Sequence, residues 1–249
     1  MDGVGTLIDA AAELLGDGEQ LGKLHRSVVL PFAPLVEKEL LAQRVRFDKL
    51  VKQSIQNEDW RPLNEDSSVS GSAVDIFTMI GQALPMMLGS GLLLDDKIAK
   101  SFIRNIDSCI MSYALHCSDA IGEAPAVVMD AGWEAENAID FTDMCIQMNS
   151  LDFAKEKVAD FSGQLTLAMG QFPDDVEPDS RPFAGSLDIV SNCREKALRF
   201  VSGKIICCDM AETLLHGLYA PTPAGARIDQ VLANLDELMG DLLELGLRI

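Results

Sequence analysis

The sequence predicts an all-α protein. Apolar residues recur at steps of three and four through most of its length. No stretch sustains the every-second-residue alternation of a half-buried strand, and prolines and glycines fall mostly between the periodic segments.

The elements follow in order. Thr6 to Leu15 reads as a short amphipathic helix ended by Gly16 and Gly18, and a second segment from Gln20 is interrupted at Pro31 and Pro34. A long helix then runs to about Gln56, with Leu40, Leu41, Val45, Leu50, Val51 and Ile55 as its apolar side. Asn57 to Gly71 is a polar link. Ser72 is placed to cap the next helix, whose face is Ala73, Ile76, Phe77, Ile80 and Leu84 and which Pro85 is expected to kink. Gly89 and Gly91 mark a turn. Asp95 to Ala120 is a helix stepping mainly by four through Ile98, Phe102, Ile106, Ile110, Tyr113 and Cys117.

After a loop with Gly122, Pro125 and Gly132, helices are expected from Glu134 to Met148 and from Ser150 to Met169. In the second, Leu151, Ala154, Val158, Phe161, Leu165 and Ala168 approach a heptad seam. Pro173 to Pro182 is an acidic loop. Leu187, Val190, Cys193, Ala197, Phe200 and Val201 lead into a helix through Cys208, Ala211, Leu214, Leu215 and Leu218, stopped by Pro221 and Pro223. Thr222 caps a last helix, on which Ile228, Val231, Leu232, Leu235, Leu238, Met239, Leu242 and Leu245 form a broad apolar stripe against Asp229, Asp236, Glu237, Asp241 and Glu244. That stripe must be buried within a bundle or against a partner.

The 249 residues suffice for one helical region, 1–249, open to division into sub-bundles 1–120 and 121–249. Hydrophobic residues at 48% support a packed core. A net charge of −19 disfavours binding to nucleic acid or to anionic lipid, and the densest basic stretch, Lys38 to Lys52, is modest. The six cysteines match neither a zinc module nor a small disulfide scaffold, and they read as buried thiols in a reducing compartment. Neither a signal peptide nor a membrane span is legible, so the expected location is the cytoplasm, with no direct membrane insertion.

Chemistry is weighed on few residues. Asp174, Asp175 and Asp179 have spacing that binds magnesium and diphosphate in all-α prenyl-transfer enzymes, but Pro173, Pro178 and Pro182 break any helix there and no second acidic motif appears. An exposed acidic loop is the reading preferred. His25, His116 and His216 show no i, i+4 pair, and His116 and Cys117, as helix neighbours, point apart. Trp60 and Trp133 read as packing anchors. No catalytic, cofactor-binding or metal-binding residue is assigned, no cofactor is expected, and the chain is not read as an enzyme.

Three phrases resemble the MUN-domain (Munc-homology) family, in its plant PATROL-like branch. They are EDWRPL at Glu58 to Leu63, SGSAVDIFTMIGQALPMML at Ser70 to Leu88, and KIICCDMAETLLHGLYAPTPAGARIDQVLANLDELMGDL at Lys204 to Leu242. Residues 125 to 185 carry no such phrase. The resemblance implies elongated stacks of helical bundles like those of tethering complexes, and a part in exocytosis through SNARE or tethering proteins. In the plant branch it implies delivery of plasma-membrane proteins, at the vesicle or plasma-membrane periphery. Family members are several times longer, so a fragment or a compact member is expected. A generic acidic all-α scaffold and a magnesium-dependent diphosphate enzyme are the alternatives.

Overall fold

The computed structural model describes residues 32–63, 67–89, 96–121, 141–168, 182–211, 229, 231–237 and 239–240. Five α-helices carry them: α1 Ala33–Gln56, α2 Gly71–Gly89, α3 Asp96–Ile121, α4 Phe141–Ala168 and α5 Ala184–Lys204. A π-turn, Ile205–Asp209, extends α5, and residues 231–237 and 239–240 are helical. Among the described residues the only β pairing is an isolated antiparallel bridge between Pro62 and Ser70. The all-α expectation holds.

Helix α1 begins where the sequence suggests interruption. Pro34 lies in its first turn, where a missing amide costs nothing and the fixed φ suits a helix. Its buried stripe is Val36, Leu40, Phe47 and Val51. Leu41, Val45 and Leu50, expected on the apolar side, are exposed. Leu40 and Leu41 sit about 100° apart on a helix, so only one of two adjacent apolar rows can face the core.

Helix α2 buries Ala73, Ile76, Phe77, Ile80 and Leu84 as expected, and runs on past Pro85 to Gly89. By length and composition it is apolar enough to cross a membrane, which the sequence reading missed, yet those residues are core here. Helix α3 buries all six residues of its expected face, each large apolar side chain contributing about 2–3 kcal/mol by leaving water.

Helix α4 is continuous through the break expected between Met148 and Ser150. Residues 144–151 are buried on every face, polar Gln147, Asn149 and Ser150 included. Ser150 is tolerated there because its Oγ accepts a hydrogen bond from the Ser70 amide at 3.0 Å. The seam Leu151, Ala154, Val158, Phe161 and Leu165 is buried, whereas Ala168 is exposed. After α5 the expected continuous helix widens: the Met210 amide bonds the Ile205 carbonyl at 2.9 Å, an i→i+5 bond.

The chain divides into two compact units, neither a single stretch. Unit 1 is Met1–Asn57, Val74–Ser112 and Glu156–Asp188. Its core includes Phe77 and Phe161, stacked with ring centroids 6.4 Å apart, and the Asn105 amide, buried and donating to the Leu40 carbonyl at 3.0 Å. Ser186 donates to the Asp107 carboxylate. Unit 2 is Glu58–Ala73, Tyr113–Lys155 and Ile189–Ile249. Within it Lys196 Nζ donates to the Ser118 carbonyl at 2.7 Å, satisfying an orphan acceptor in the last turn of α3 with favourable charge. Arg194 pairs with Asp152.

Candidate functional site

The first two of the three phrases meet in unit 2. The link after α1 turns back on itself: the Leu63 amide bonds the Val69 carbonyl at 3.2 Å next to the Pro62–Ser70 bridge. Glu58 ties the turn to α2. Its Oε1 accepts the Trp60 amide at 2.8 Å and its Oε2 accepts the Ser72 hydroxyl. Trp60 adopts a φ of 53°, a left-handed conformation costly for a side-chain-bearing residue. That conformation accompanies a stack of its indole on the His116 imidazole, with centroids 5.7 Å apart and planes 15° from parallel.

Ser70, not Ser72, caps α2. Its Oγ accepts the Ala73 amide at 3.4 Å, the N-cap to N3 bond, and lies 3.3 Å from Ser72 Oγ. Ser72 is occupied by Glu58 instead. The Tyr113 hydroxyl sits among Ser70, Ser150 and Cys117, so α2, α3 and α4 each contribute to one buried polar cluster.

The electrostatics of this cluster oppose nucleophilic chemistry. Burial holds the Tyr113 phenol well above its usual range. Burial pushes the Cys117 thiol up to about 12, against a lowering contact from Tyr113, so its thiolate is suppressed near neutrality. In unit 1 burial, then the Asp48 carboxylate, pushes Cys109 up to about 12. Burial raises Cys193 as well. The cluster can fix a turn and a helix start, and its thiol and phenol are held protonated by burial.

The sequence candidates divide into those described and those not. Asp174, Asp175, Asp179, His25, His216 and Trp133 lie outside the described residues. His116 and Trp60 are brought together, and Cys117 is buried beside Tyr113. Cys207, expected to be buried in mid-helix, is half-exposed on the π-turn. Among the described residues no three His, Cys, Asp or Glu side chains group as they would around a metal ion. The Ser70–Ser150–Tyr113 cluster went unread, although adjacent polar residues at 149 and 150 in a mostly apolar helical run were its signal.

The outer surface offers a second candidate. Phe32, Leu35, Leu41, Val45 and Leu50, on or beside α1, are exposed. Helix α1 also carries Lys38, Arg44, Arg46, Lys49 and Lys52 against Glu37, Glu39 and Asp48, a net charge of +2 in a chain of −19.

The fold and its surfaces define an all-α helical module. Comparison with known proteins shows what it resembles. Residues 126–246 match the family described as PATROL1-like, TPR repeats. The chain is also 20% identical, over 251 aligned residues and 84% of its length, to a protein unc-13 homolog of Arabidopsis thaliana, of whose length it spans 23%. No solved structure matches. The resemblance to the PATROL-like MUN proteins is thus shown, and the family match takes in residues 126–185, where no phrase was legible.

Proposed function

We propose that this chain is a non-enzymatic helical interaction module serving vesicle tethering and exocytosis, including delivery of plasma-membrane proteins. It acts in the cytoplasm at the periphery of vesicle or plasma membrane, by engaging SNARE or tethering proteins. The observation that carries this reading is the convergence of the family match with the unc-13 homolog similarity. An apolar helical surface and buried, protonated thiols support docking rather than catalysis. The diphosphate-enzyme alternative rests on Asp174, Asp175 and Asp179 alone, and nothing described here adds to it.

The test is a pull-down of purified SNARE and tethering proteins on the immobilised chain. Retention of at least one, competed by soluble chain, is expected. Recovery of no trafficking protein under low- and physiological-salt conditions overturns the proposal.

A further inference from the structure

We propose that α1 of one copy of this chain docks on residues 229–240 of a second copy. This stands independently of the trafficking reading. Lys38, Leu41, Val45, Lys49 and Lys52 follow one another on α1 at steps of three and four, a single ridge along about 21 Å of helix. All five are exposed, Leu41 at 64% and Val45 at 62%. The three acids of α1 are already engaged: Glu37 with Lys97, Glu39 with Arg46, Asp48 with Arg44. Among the described residues, Lys38, Lys49 and Lys52 have no carboxylate partner. The ridge is therefore an apolar centre bracketed by lysines that no described carboxylate pairs.

The 229–240 segment is its complement. Leu232 and Leu235 are exposed at 52% and 37% on helical backbone. Asp229 and Asp236, also exposed, stand three residues before and four after Leu232 on the same side of the helix. With Glu237 the segment carries three acids and no base. Leu232 and Leu235 against Leu41 and Val45, with aspartates meeting lysines at either side, removes four exposed apolar side chains from water and pairs opposite charges.

Charge decides between occupants. With α1 at +2 and the whole chain at −19, the remainder carries −21. At physiological salt that field is screened beyond about 8 Å for any partner, so the charges in direct contact choose the occupant. The local ridge then selects the matching acidic apolar helix. The two surfaces differ, so every copy offers one of each. A single-helix contact falls below about 1,200 Å² of buried area, so the association is weak.

Sedimentation velocity of the 249-residue chain, from about 5 to 300 μM to suit a weak contact, tests this. The weight-average mass is expected to rise above the 27.0 kDa monomer with concentration. The triple variant K38E/K49E/K52E and the double variant D229K/D236K should each remain monomeric, since each makes the two surfaces alike in sign. Mixing them in equal amounts should restore association, because charge-opposed surfaces face each other again. The substituted side chains are exposed, and unchanged circular dichroism and melting confirm that the variants fold. The uncharged variant L41S/V45S should also weaken association. A 27.0 kDa species at every concentration, association indifferent to both charge reversals, or a monomer that floats with phosphatidylserine vesicles in a lysine-dependent way, each overturns the proposal.

Discussion

Replacing Ser70 by alanine should cost more stability than replacing Ser72, although the sequence points to Ser72 as the helix cap. Ser70 Oγ accepts the Ala73 amide and is fully buried. Losing an N-cap serine costs about 1 kcal/mol. The same substitution strips a buried partner from the Ser72 hydroxyl, 3.3 Å away, adding about 1–2 kcal/mol. The total is roughly 2–3 kcal/mol. Ser72→Ala removes the bond to Glu58, but that carboxylate is only half-buried, keeps the Trp60 amide and recovers water. Its cost should be about 1 kcal/mol. Urea unfolding of the 249-residue chain, followed by far-UV circular dichroism, gives both values from the midpoints if the slope is unchanged. An S72A penalty equal to or larger than that of S70A would refute the assignment of the cap and the role given to the buried cluster.

Other substitutions read other parts of the structure. Gly81→Ala adds a methyl that meets Phe161 at 3.8 Å, ordinary contact, so it should raise the unfolding free energy by about 0.5–1 kcal/mol in the same assay through helix propensity alone. Phe161→Ala, which empties the stack on Phe77, should lower it by about 3–5 kcal/mol. At Trp60 the usual ranking should invert: with φ at 53°, Trp60→Gly should be more stable than Trp60→Ala by about 1 kcal/mol, and the reverse order would argue against the left-handed backbone. Cys109 and Cys117, raised to about 12, favour the protonated fold, so their contribution is complete below their ordinary value of 9.0 and is lost as pH climbs toward 12. Each should remove about 1.4 kcal/mol per pH unit in that window. Urea midpoints between pH 8 and 10.5 should therefore fall less steeply for Cys117→Ala, and among the described cysteines the half-exposed Cys207 should be the first to react with a thiol reagent in the native state.

Helix α3 was legible almost residue by residue, because a strictly amphipathic segment of that length has one apolar face and no competing way to bury it. Helix α4 was not. Its buried polar residues at 149 and 150 read as a boundary, since an unpaired hydroxyl in a core is costly. The partner that removes the cost, the Ser70 amide, lies eighty residues away and no local pattern announces it. The capping error has the same origin: Ser70 and Ser72 are both acceptable caps by propensity, and a distant carboxylate, Glu58, decides between them by taking one hydroxyl. The candidate polar cluster is thus built almost wholly from pairings that spacing cannot show. The phrases that carry the family resemblance mark its ends without revealing that they touch.

Helix α1 shows the complementary failure, and it bears on function. Val36, Leu40, Phe47 and Val51 outcompete Leu41, Val45 and Leu50 for the interior, although both sets recur at helical spacing. Periodicity names every row that could be buried; tertiary packing chooses one. Rows left over are the raw material of docking surfaces, because their exposure is unfavourable and their regular spacing already fits another helix. On α1 the leftover row carries lysines without a carboxylate partner among the described residues, and at 229–240 exposed leucines stand beside aspartates. In the proposed association, specificity comes from such leftover rows and their charges. The α1 ridge is consequently the place where substitution should alter association while leaving stability nearly unchanged, the opposite of what Ser70 or Phe161 should show.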